Sequence, residues 1–212
     1  TLRALTLDAQ IYGVPLSTKS LALIVNTRFI PGAPATFESI VRLPMPSGVY
    51  PIAYEVQSAY THAPFLHSFG GEMIGPNGLA IDSTEGARSF AFAKQMAAKL
   101  PPDPNGALVS QLFSAEKAAS VIAGPWFLNE IPKEIPVAIY PLPPLEASGA
   151  PLRPYLTVEA AMLSPDGAKR SSVRAFARWL ATDAEAIRVR ATLGHQQITD
   201  SPNAIPMPTD PQ

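Results

Sequence analysis

The sequence predicts an α/β fold with a mainly parallel central sheet flanked by helices. The first observation is a set of short apolar runs, such as residues 21–25 and 118–123, which lack the polar alternation of a strand with one face in water. Such runs are typical of strands that are covered on both faces. The second observation is that segments of helical length separate these runs, an order typical of a parallel sheet. A chain of 212 residues is long enough for one large or two small domains with a hydrophobic core.

Five segments are predicted as strands, and rigid connections join them to the helices. The chain contains 24 prolines, concentrated between the helical segments, and proline fixes the backbone where it occurs. The predicted strands, in chain order, are residues 21–25, 49–54, 118–123, 135–141 and 156–163.

Capping residues and apolar stripes predict the helices. A short helix is predicted to start at residues 36–40, with Thr36 as its cap. The first long helix covers residues 58–69 and ends at Gly70-Gly71, since glycine is favoured just beyond a helix. The second begins at Asp82, with Glu85 at capping-box spacing, and its predicted apolar stripe is formed by Ala87, Phe90, Ala91, Lys94 and Ala97. The remaining predicted helices are residues 107–113 with Asn105 as cap, the segment after Ser164-Pro165, and the segment from a capping box at 182–185 to about residue 193.

Composition excludes several classes of function. The net charge is −1 and no cluster of Lys and Arg is present, which argues against binding to nucleic acid or to an anionic membrane surface. The absence of cysteine excludes disulfides, thiolate metal sites and a cysteine nucleophile. No apolar run reaches the roughly 18 residues of a membrane helix, so no direct membrane span is predicted.

Signatures of enzymes and cofactor sites are also missing from the sequence. It contains no HExxH pair, GxSxG elbow, P-loop or strand-linked GxGxxG motif. The histidines have no metal-ligand spacing and are predicted to be surface or polar helix residues, and the scattered carboxylates show no glycosidase pair. The sequence therefore predicts a non-catalytic protein without cofactor or metal. The residues considered are His62, His67, His195, Glu55, Glu72 and Glu159.

The stretch at Gly124-Pro125-Trp126 is the strongest candidate for a binding site. It ends the predicted strand at 118–123, because glycine can take positive φ and proline has no N–H for a ladder. Trp126 is therefore placed at the carboxyl end of a strand, where ligands bind in open α/β sheets. From the residues alone, a buried core tryptophan is the more frequent reading, and an aromatic platform for a ligand is the alternative.

Six groups of residues occur in the order typical of one protein family and span nearly the whole chain. They are Tyr12-Gly13-Val14-Pro15 with residues 21–26, Pro64 with Phe69-Gly70-Gly71, Gly124-Pro125-Trp126, Arg153-Pro154-Tyr155, Ser164-Pro165 with its helix, and Pro206-Met207-Pro208 with Pro211-Gln212. By these motifs the chain resembles the extracellular solute-binding proteins of the maltose-binding type, which feed ABC sugar importers. Each motif alone is weakly specific, and the assignment depends on their common order.

The resemblance implies a periplasmic-binding-protein-like fold, in which two α/β lobes close on a sugar by a hinge, and a periplasmic or extracellular location. Family members are longer, so an incomplete, truncated two-lobe architecture is expected, without most of the first lobe. The expected parts are a hinge-crossing segment at 1–17, the second lobe at 18–145, a crossing segment at 146–155, a strand and helices of the first lobe at 156–193, and a crossing or C-terminal segment at 194–212.

The resemblance also assigns candidate ligand-binding residues. Trp126 matches the family's sugar-stacking tryptophan, and Tyr60 matches an aromatic on the ligand side of the second lobe. Ser58 and Lys19 occupy positions where maltose binders carry carboxylates that accept sugar hydroxyls, and Gly106 replaces a tyrosine. Ser58 could instead cap a helix, and Lys19 could be an exposed hinge residue or could meet an anionic ligand. Because these polar partners have changed, maltodextrin itself is not the expected ligand.

Two hypotheses follow from these residues. The first is binding of a saccharide or similarly polar small solute for ABC-type import, with an ABC permease as partner. It predicts that Trp126 is exposed at the rim of a groove. The second is that the fold has been recruited as a structural, sensor or protein-interaction domain without a sugar ligand. It predicts a buried Trp126, no groove of saccharide size, and a partner protein chain.

Overall fold

The computed structural model describes residues 2–193 and 197–198. His195 and most of the predicted crossing or C-terminal segment at 194–212 lie outside the described residues. The described chain forms two compact units. The central unit is Leu21–Tyr155, and the flanking unit consists of the described residues before Leu21 and after Tyr155.

Helices and short strands alternate along the described chain. The α-helices are α1 (Phe37–Val41), α2 (Ala59–Ser68), α3 (Thr84–Ala97), α4 (Gly106–Ser114), α5 (Pro165–Ala168), α6 (Ser171–Thr182) and α7 (Ala184–Leu193), and the 3-10 helices are Leu2–Leu5 and Pro125–Glu130. The strands are β1 (Thr6–Leu7), β2 (Gln10–Ile11), β3 (Gly13–Lys19), β4 (Ala22–Asn26), β5 (Ile74–Gly75), β6 (Gly78–Leu79), β7 (Ser120–Ala123), β8 (Val137–Tyr140), β9 (Pro144–Leu145), β10 (Ala150–Pro151), β11 (Thr157–Met162) and β12 (Gln197–Ile198).

The sheet of the central unit is built around β4, which lies between β7 and β8. Strand β4 is antiparallel to both neighbours, with Ile24 opposite Val121 on one side and Ile139 on the other. Parallel pairing among the described residues is limited to the isolated bridges Tyr50–Ala118 and Ala53–Val121, on the outer side of β7. The prediction of a mainly parallel sheet was therefore wrong in strand direction. Apolar runs separated by helices report that strands are buried, but they do not fix the direction in which each strand enters the sheet.

Both faces of this sheet are covered, as the apolar runs predicted. Side chains alternate across a strand, so Leu23 and Val25 join one core cluster, whereas Ile24 joins another on the opposite face. Phe37 lies at the centre of the first cluster, and its ring meets Phe65 edge-on at 5.0 Å between centroids. The second cluster holds the end of β7 and the 3-10 helix that follows it, which is the part of the fold that positions Trp126.

The flanking unit contains a three-stranded antiparallel sheet with β3 in the middle, between β11 and β12. An irregularity in the register of β11 occurs between Glu159 and Ala160. Helices α6 and α7 contribute the buried residues Ala177 and Ile187. Among residues 2–193 and 197–198, no helix combines the length and apolar character that a membrane crossing requires.

Protonation of His62 should destabilise the central unit at acidic pH. His62 is buried, stacks on Phe90 at 4.6 Å between ring centroids, and has its Nε2 3.1 Å from the Ser89 hydroxyl. Ser89 donates its own proton to the Gly86 carbonyl, so it accepts from His62 Nε2–H. Burial lowers the pKa of His62 below its ordinary value of 6.5. Its contribution to stability is therefore complete above pH 6.5 and is lost as the pH falls toward the depressed folded-state pKa.

Thermal unfolding followed by circular dichroism between pH 8 and pH 5 measures this effect. The matched variant is His62→Gln, whose side-chain amide can still donate to Ser89 but does not titrate. We expect the melting temperature of the wild type to fall more steeply on acidification than that of the variant. Parallel pH profiles for the two proteins would contradict a role for His62 in acid sensitivity.

Candidate functional site

Trp126 is held at the surface by the residues on either side of it. Every residue of β7 is buried, and the 3-10 helix Pro125–Glu130 begins one residue after the strand. In a helix with three residues per turn, neighbouring side chains point in different directions. Phe127 is buried and meets the ring of Phe113 edge-on at 5.7 Å, which anchors the helix to the core. The Trp126 side chain is consequently 44% exposed.

Gly124 provides the space in which the Trp126 indole lies. A Cβ atom on Gly124 would fall 2.0 Å from Cζ3 and 2.3 Å from Cη2 of Trp126. The six-membered ring of the indole therefore rests directly on the glycine backbone. The φ angle of Gly124 is −99°, so the position needs glycine for its small size and does not use the positive φ that the sequence suggested.

One aromatic ring, that of Tyr60, lies beside the Trp126 indole, and the ring of Tyr155 lies beside Tyr60. Tyr60, in the first turn of α2, has its ring centroid 6.3 Å from that of Trp126, with a tilt of 43°. The ring of Tyr155 is nearly parallel to that of Tyr60, at 6.5 Å between centroids and 20° between planes. Both distances fall in the range of interacting aromatic pairs, roughly 4.5–7 Å. Trp126 and Tyr60 are here called the aromatic pair, and Tyr155, which is 37% exposed, continues it.

Hydrogen bonds of Arg153 fix the segment that carries Tyr155 to the end of α2. Arg153 donates from Nη2 to the His67 carbonyl at 2.9 Å, and His67 donates from Nδ1 to the Arg153 carbonyl at 2.6 Å. The His67 ring meets the ring of Tyr155 edge-on at 4.8 Å. Desolvation, and secondarily repulsion by Glu72, raises the pKa of the Tyr155 hydroxyl. Tyr155 is thus held in place with a protonated hydroxyl at neutral pH.

A groove of about 610 Å³ begins at Tyr155 and follows the loop after α2. Its lining combines backbone, an aromatic ring and both signs of charge, contributed by His67, Gly70, Gly71, Glu72, Met73, Ile74, Arg153, Pro154 and Tyr155. A larger depression of about 1040 Å³ also lies on the central unit, but none of Tyr60, Trp126 and Tyr155 lines it. Of the three aromatic residues, only Tyr155 lines this groove, and Tyr60 and Trp126 line neither cavity.

The structure places the five predicted site residues in different surroundings. Trp126 and Tyr60 form the aromatic pair, and Ser58 occupies the N-cap position of α2, two residues before Tyr60. The Ser58 hydroxyl makes no capping hydrogen bond, so α2 does not use this side chain as a cap. Gly106 is the exposed first residue of α4, with no atom within 4 Å of a Cβ placed on it. Lys19 lies on β3, in the flanking unit.

Lys19 has an internal anionic partner. Its ammonium group donates to the Glu159 carboxylate, which also accepts from the Ser17 hydroxyl at 2.7 Å. The hydrogen bond from Lys19, followed by that from Ser17, lowers the pKa of Glu159. This ion pair weakens the reading in which Lys19 attracts an anionic ligand.

Sequence reasoning did not assign three residues that shape this surface, namely Gly124, His67 and Tyr155. Tyr155 belongs to the Arg153-Pro154-Tyr155 motif, but the motif gives no indication that its ring lies beside Tyr60. Gly124 was interpreted through backbone conformation, and only the coordinates show the indole against it. A glycine two residues before an exposed tryptophan is a signal that could have suggested this contact.

Most of the chain matches the model of a known protein family. The family model described as bacterial extracellular solute-binding protein matches residues 1–187. A curated relative, the maltotriose-binding protein of Pyrococcus abyssi (strain GE5 / Orsay), is 22% identical over 188 residues, which are 84% of this chain and 41% of that protein. The chain thus spans less than half the length of this curated relative.

Solved structures establish the fold. A cyclo/maltodextrin-binding protein complexed with maltotetraose has a TM-score of 0.78 at 22% identity, covering 93% of this chain and 54% of its own. The maltotriose-binding protein of Thermus thermophilus, bound with maltotriose, gives 0.77 at 22% identity over 88% of this chain and 53% of its own. The maltose-maltodextrin binding protein of Alicyclobacillus acidocaldarius gives 0.79 at 22% identity over 93% and 56%. The predicted periplasmic-binding-protein-like α/β fold, in incomplete form, is confirmed.

Proposed function

This chain belongs to the family of bacterial extracellular solute-binding proteins, and from this premise we propose that it binds a saccharide, or a similarly polar small solute, without transforming it chemically. The names of its relatives, which bind maltotriose and maltodextrin, support a saccharide as the first class of ligand to test.

The observation that carries this proposal is the exposed indole of Trp126 beside Tyr60. A sugar ring has an apolar C–H face, and a flat aromatic ring of low conformational entropy is its natural partner. The indole rests on Gly124, and the buried Phe127 anchors the helix that carries it, so ordering the site on binding costs little conformational entropy. In this proposal Trp126 and Tyr60 stack against the sugar.

Polar contacts in the proposed site differ from those of maltose binders. Ser58 offers a hydroxyl that can donate and accept, whereas a carboxylate only accepts. Lys19 is engaged by Glu159, and Gly106 contributes no aromatic wall. Fewer anionic acceptors favour a ligand other than an unmodified maltodextrin, or a lower affinity for it.

In this proposal the bound solute is delivered to an ABC-type permease at the outer face of a membrane, so the protein acts in the periplasm or outside the cell. Residues 18–145 correspond to the second lobe, residues 156–193 to part of the first, and residues 1–17, 146–155 and 194–212 to crossing segments. Because the chain spans about half the length of its structural relatives, these assignments extend to the whole protein only as part of the proposal.

The recruited-domain hypothesis is supported by one different surface. Phe176 and Trp179 on α6 are 58% and 45% exposed, and their rings stack at 5.8 Å between centroids. Adjacent exposed aromatic rings are the kind of apolar surface that a contact with another protein covers. The same hypothesis, however, expects Trp126 to be buried and no groove beside it, and the exposure of Trp126 favours solute binding.

Fluorescence titration tests the proposed function directly. The variant Trp179→Phe leaves Trp126 as the single tryptophan, so its emission reports on the proposed site alone. We expect a saturable change in emission with at least one member of a panel containing glucose, maltose, maltotriose, maltotetraose and other neutral oligosaccharides. Glycine, which has no apolar ring face, serves as the control solute. The absence of a saturable response to every saccharide, confirmed by calorimetry, would contradict saccharide binding.

A further inference from the structure

We propose that Lys19 and Glu159 form a ligand-binding ion pair, which takes two hydroxyl groups on adjacent carbons of a polyhydroxylated solute. In this arrangement the Glu159 carboxylate accepts a hydrogen bond from one hydroxyl, and the Lys19 ammonium donates a hydrogen bond to the oxygen of the other. The inference rests on the proposed function and extends it. It adds Glu159 as a specificity-determining residue and names a vicinal diol as the chemical group that is recognised.

The two residues belong to a polar cluster on one face of the sheet in the flanking unit. Ser17 and Lys19 are two residues apart on β3, so their side chains leave the same face of the strand. On the neighbouring strand β11, Glu159 lies opposite Ser17. Thr157 of the same strand lies opposite Lys19. Since directly opposed residues share a face, two hydroxyls, an ammonium and a carboxylate lie together there.

The Glu159 carboxylate is oriented by its neighbours and remains accessible. Ser17 is 1% exposed and donates to Glu159 Oε2 at 2.7 Å, and Lys19 donates to Oε1. The side chains of Lys19 and Glu159 are nonetheless 31% and 36% exposed. The pair is thus both held in place and open to solvent, so binding of a solute orders neither side chain anew.

An irregularity in β11 gives independent support. The register between β11 and β3 shifts between Glu159 and Ala160, immediately after the carboxylate. Bulges bend a strand, re-aim its side chains and are frequent beside functional sites. An ion pair that only joins two regular strands needs no such shift, because opposed side chains already meet across the ladder. The position of the irregularity is therefore the one expected if Glu159 is directed toward a ligand.

The hydrogen-bonding groups of the ion pair match those of a diol. A carboxylate has about four acceptor sites and an ammonium three donors, so each group can hold the other and also meet a ligand. Each hydroxyl of a diol donates and accepts, so one can serve the carboxylate and the other the ammonium. Because the charges of Lys19 and Glu159 are opposite and adjacent, a charged solute of either sign is repelled by one of them. Glu159 thus supplies the acceptor that a lysine at position 19 lacks.

Affinities of Glu159→Gln and Lys19→Met test this inference. The neutral probe is maltotriose, or the panel member that saturates the wild type, and the acidic probe is trigalacturonate. Each variant loses one charged hydrogen bond at a partly exposed site, so both should bind the neutral probe about three- to tenfold more weakly.

The acidic probe should respond to the two variants with opposite signs. Glu159→Gln removes the negative charge beside the ammonium and should strengthen binding of trigalacturonate, whereas Lys19→Met leaves the repelling carboxylate and should weaken it further. The Kd for trigalacturonate divided by the Kd for the neutral probe should therefore fall in Glu159→Gln and rise in Lys19→Met.

Two further proteins separate recognition from stability. The double variant Lys19→Glu with Glu159→Lys keeps an ion pair between β3 and β11 but exchanges donor and acceptor. We expect it to recover the melting temperature lost in the single variants but not the affinity for the neutral probe. Glu185→Gln removes the carboxylate of another ion pair in the flanking unit and is the matched control, with both affinities within about twofold of the wild type.

The results distinguish this inference from the proposed function. Equal effects of each single variant on the two probes would assign the ion pair to sheet stability alone and overturn the inference, while saccharide binding stands. Recovery of wild-type affinity by the charge exchange would have the same meaning. A wild type that binds no saccharide of the panel would overturn saccharide binding, and this inference with it. Opposite shifts of the Kd ratio, without recovery by the charge exchange, support both.

Discussion

Replacing Trp126 with alanine is expected to weaken saccharide binding by about 30-fold or more, equivalent to roughly 2 kcal/mol. The substitution removes the largest exposed flat surface of the proposed site and leaves Tyr60 without the ring beside it. Large tryptophan side chains at the centre of a contact commonly carry this share of the binding free energy. Isothermal titration calorimetry with whichever saccharide saturates the wild type measures the change.

The control for this experiment is Trp179→Ala. Trp179 is exposed to nearly the same extent as Trp126, but it lies on α6 in the flanking unit. We expect its replacement to leave saccharide affinity within about twofold of the wild-type value, inside the usual range of surface substitutions. If the two variants lose affinity equally, the indole of Trp126 has no special role and the site must be sought elsewhere.

Burial of the central strands could be predicted from the sequence, but their direction could not. The apolar runs at 21–25 and 118–123 correspond to β4 and β7, and their side chains enter core clusters on both faces. Periodicity carries this information because it records which positions avoid water. Strand direction depends on how the chain enters the sheet, and β4 runs opposite to both neighbours.

Two predictions failed for single elements, namely the strand at 49–54 and the cap and apolar stripe of α3. Residues 49–54 form isolated bridges instead of the predicted strand, and Pro51, within this stretch, has no N–H to donate to a ladder. In α3, the cap is Ser83 rather than Asp82. Its predicted stripe is also wrong, because Phe90 is 49% exposed and the buried positions are Gly86, Ser89 and Phe92. Several stripes on a helix can have similar apolar content, and tertiary packing selects one of them.

The candidate site, like the fold, could be predicted from the sequence only in part. Resemblance assigned Trp126 and Tyr60, which the structure brings together, because these residues follow recognisable motifs. It also assigned Lys19, but an ion pair with Glu159 across two strands cannot be read from spacing along the chain. Tyr155 and Gly124 lie in motifs that the sequence analysis named, but their contacts with Tyr60 and with the Trp126 indole could not be predicted from order along the chain. Residue type and order therefore indicate a candidate site, and tertiary contacts decide which side chains lie together there.

Replacing Gly124 with alanine is expected to displace the Trp126 indole and weaken saccharide binding by about tenfold, or ~1.4 kcal/mol. The new Cβ atom would lie 2.0 Å from the indole, far inside contact distance, so the indole must move. The backbone has no reason to move, since φ at this position is −99°, a conformation that alanine adopts. The fold should therefore persist while the binding surface changes, which separates this substitution from one that acts by unfolding.

In a Trp179→Phe background, the fluorescence and near-ultraviolet circular dichroism of Gly124→Ala should differ from those of the parent even without ligand, because both report the surroundings of Trp126. Gly32→Ala is the matched control, since nothing lies within 4 Å of a Cβ at that position. A Gly124→Ala protein with parental spectra and parental affinity would mean that the indole does not rest on residue 124 in solution. A change in spectra with unchanged affinity would instead remove Trp126 from the binding site. Only a change in the spectra together with a loss of affinity links the position of the Trp126 ring to recognition of the sugar.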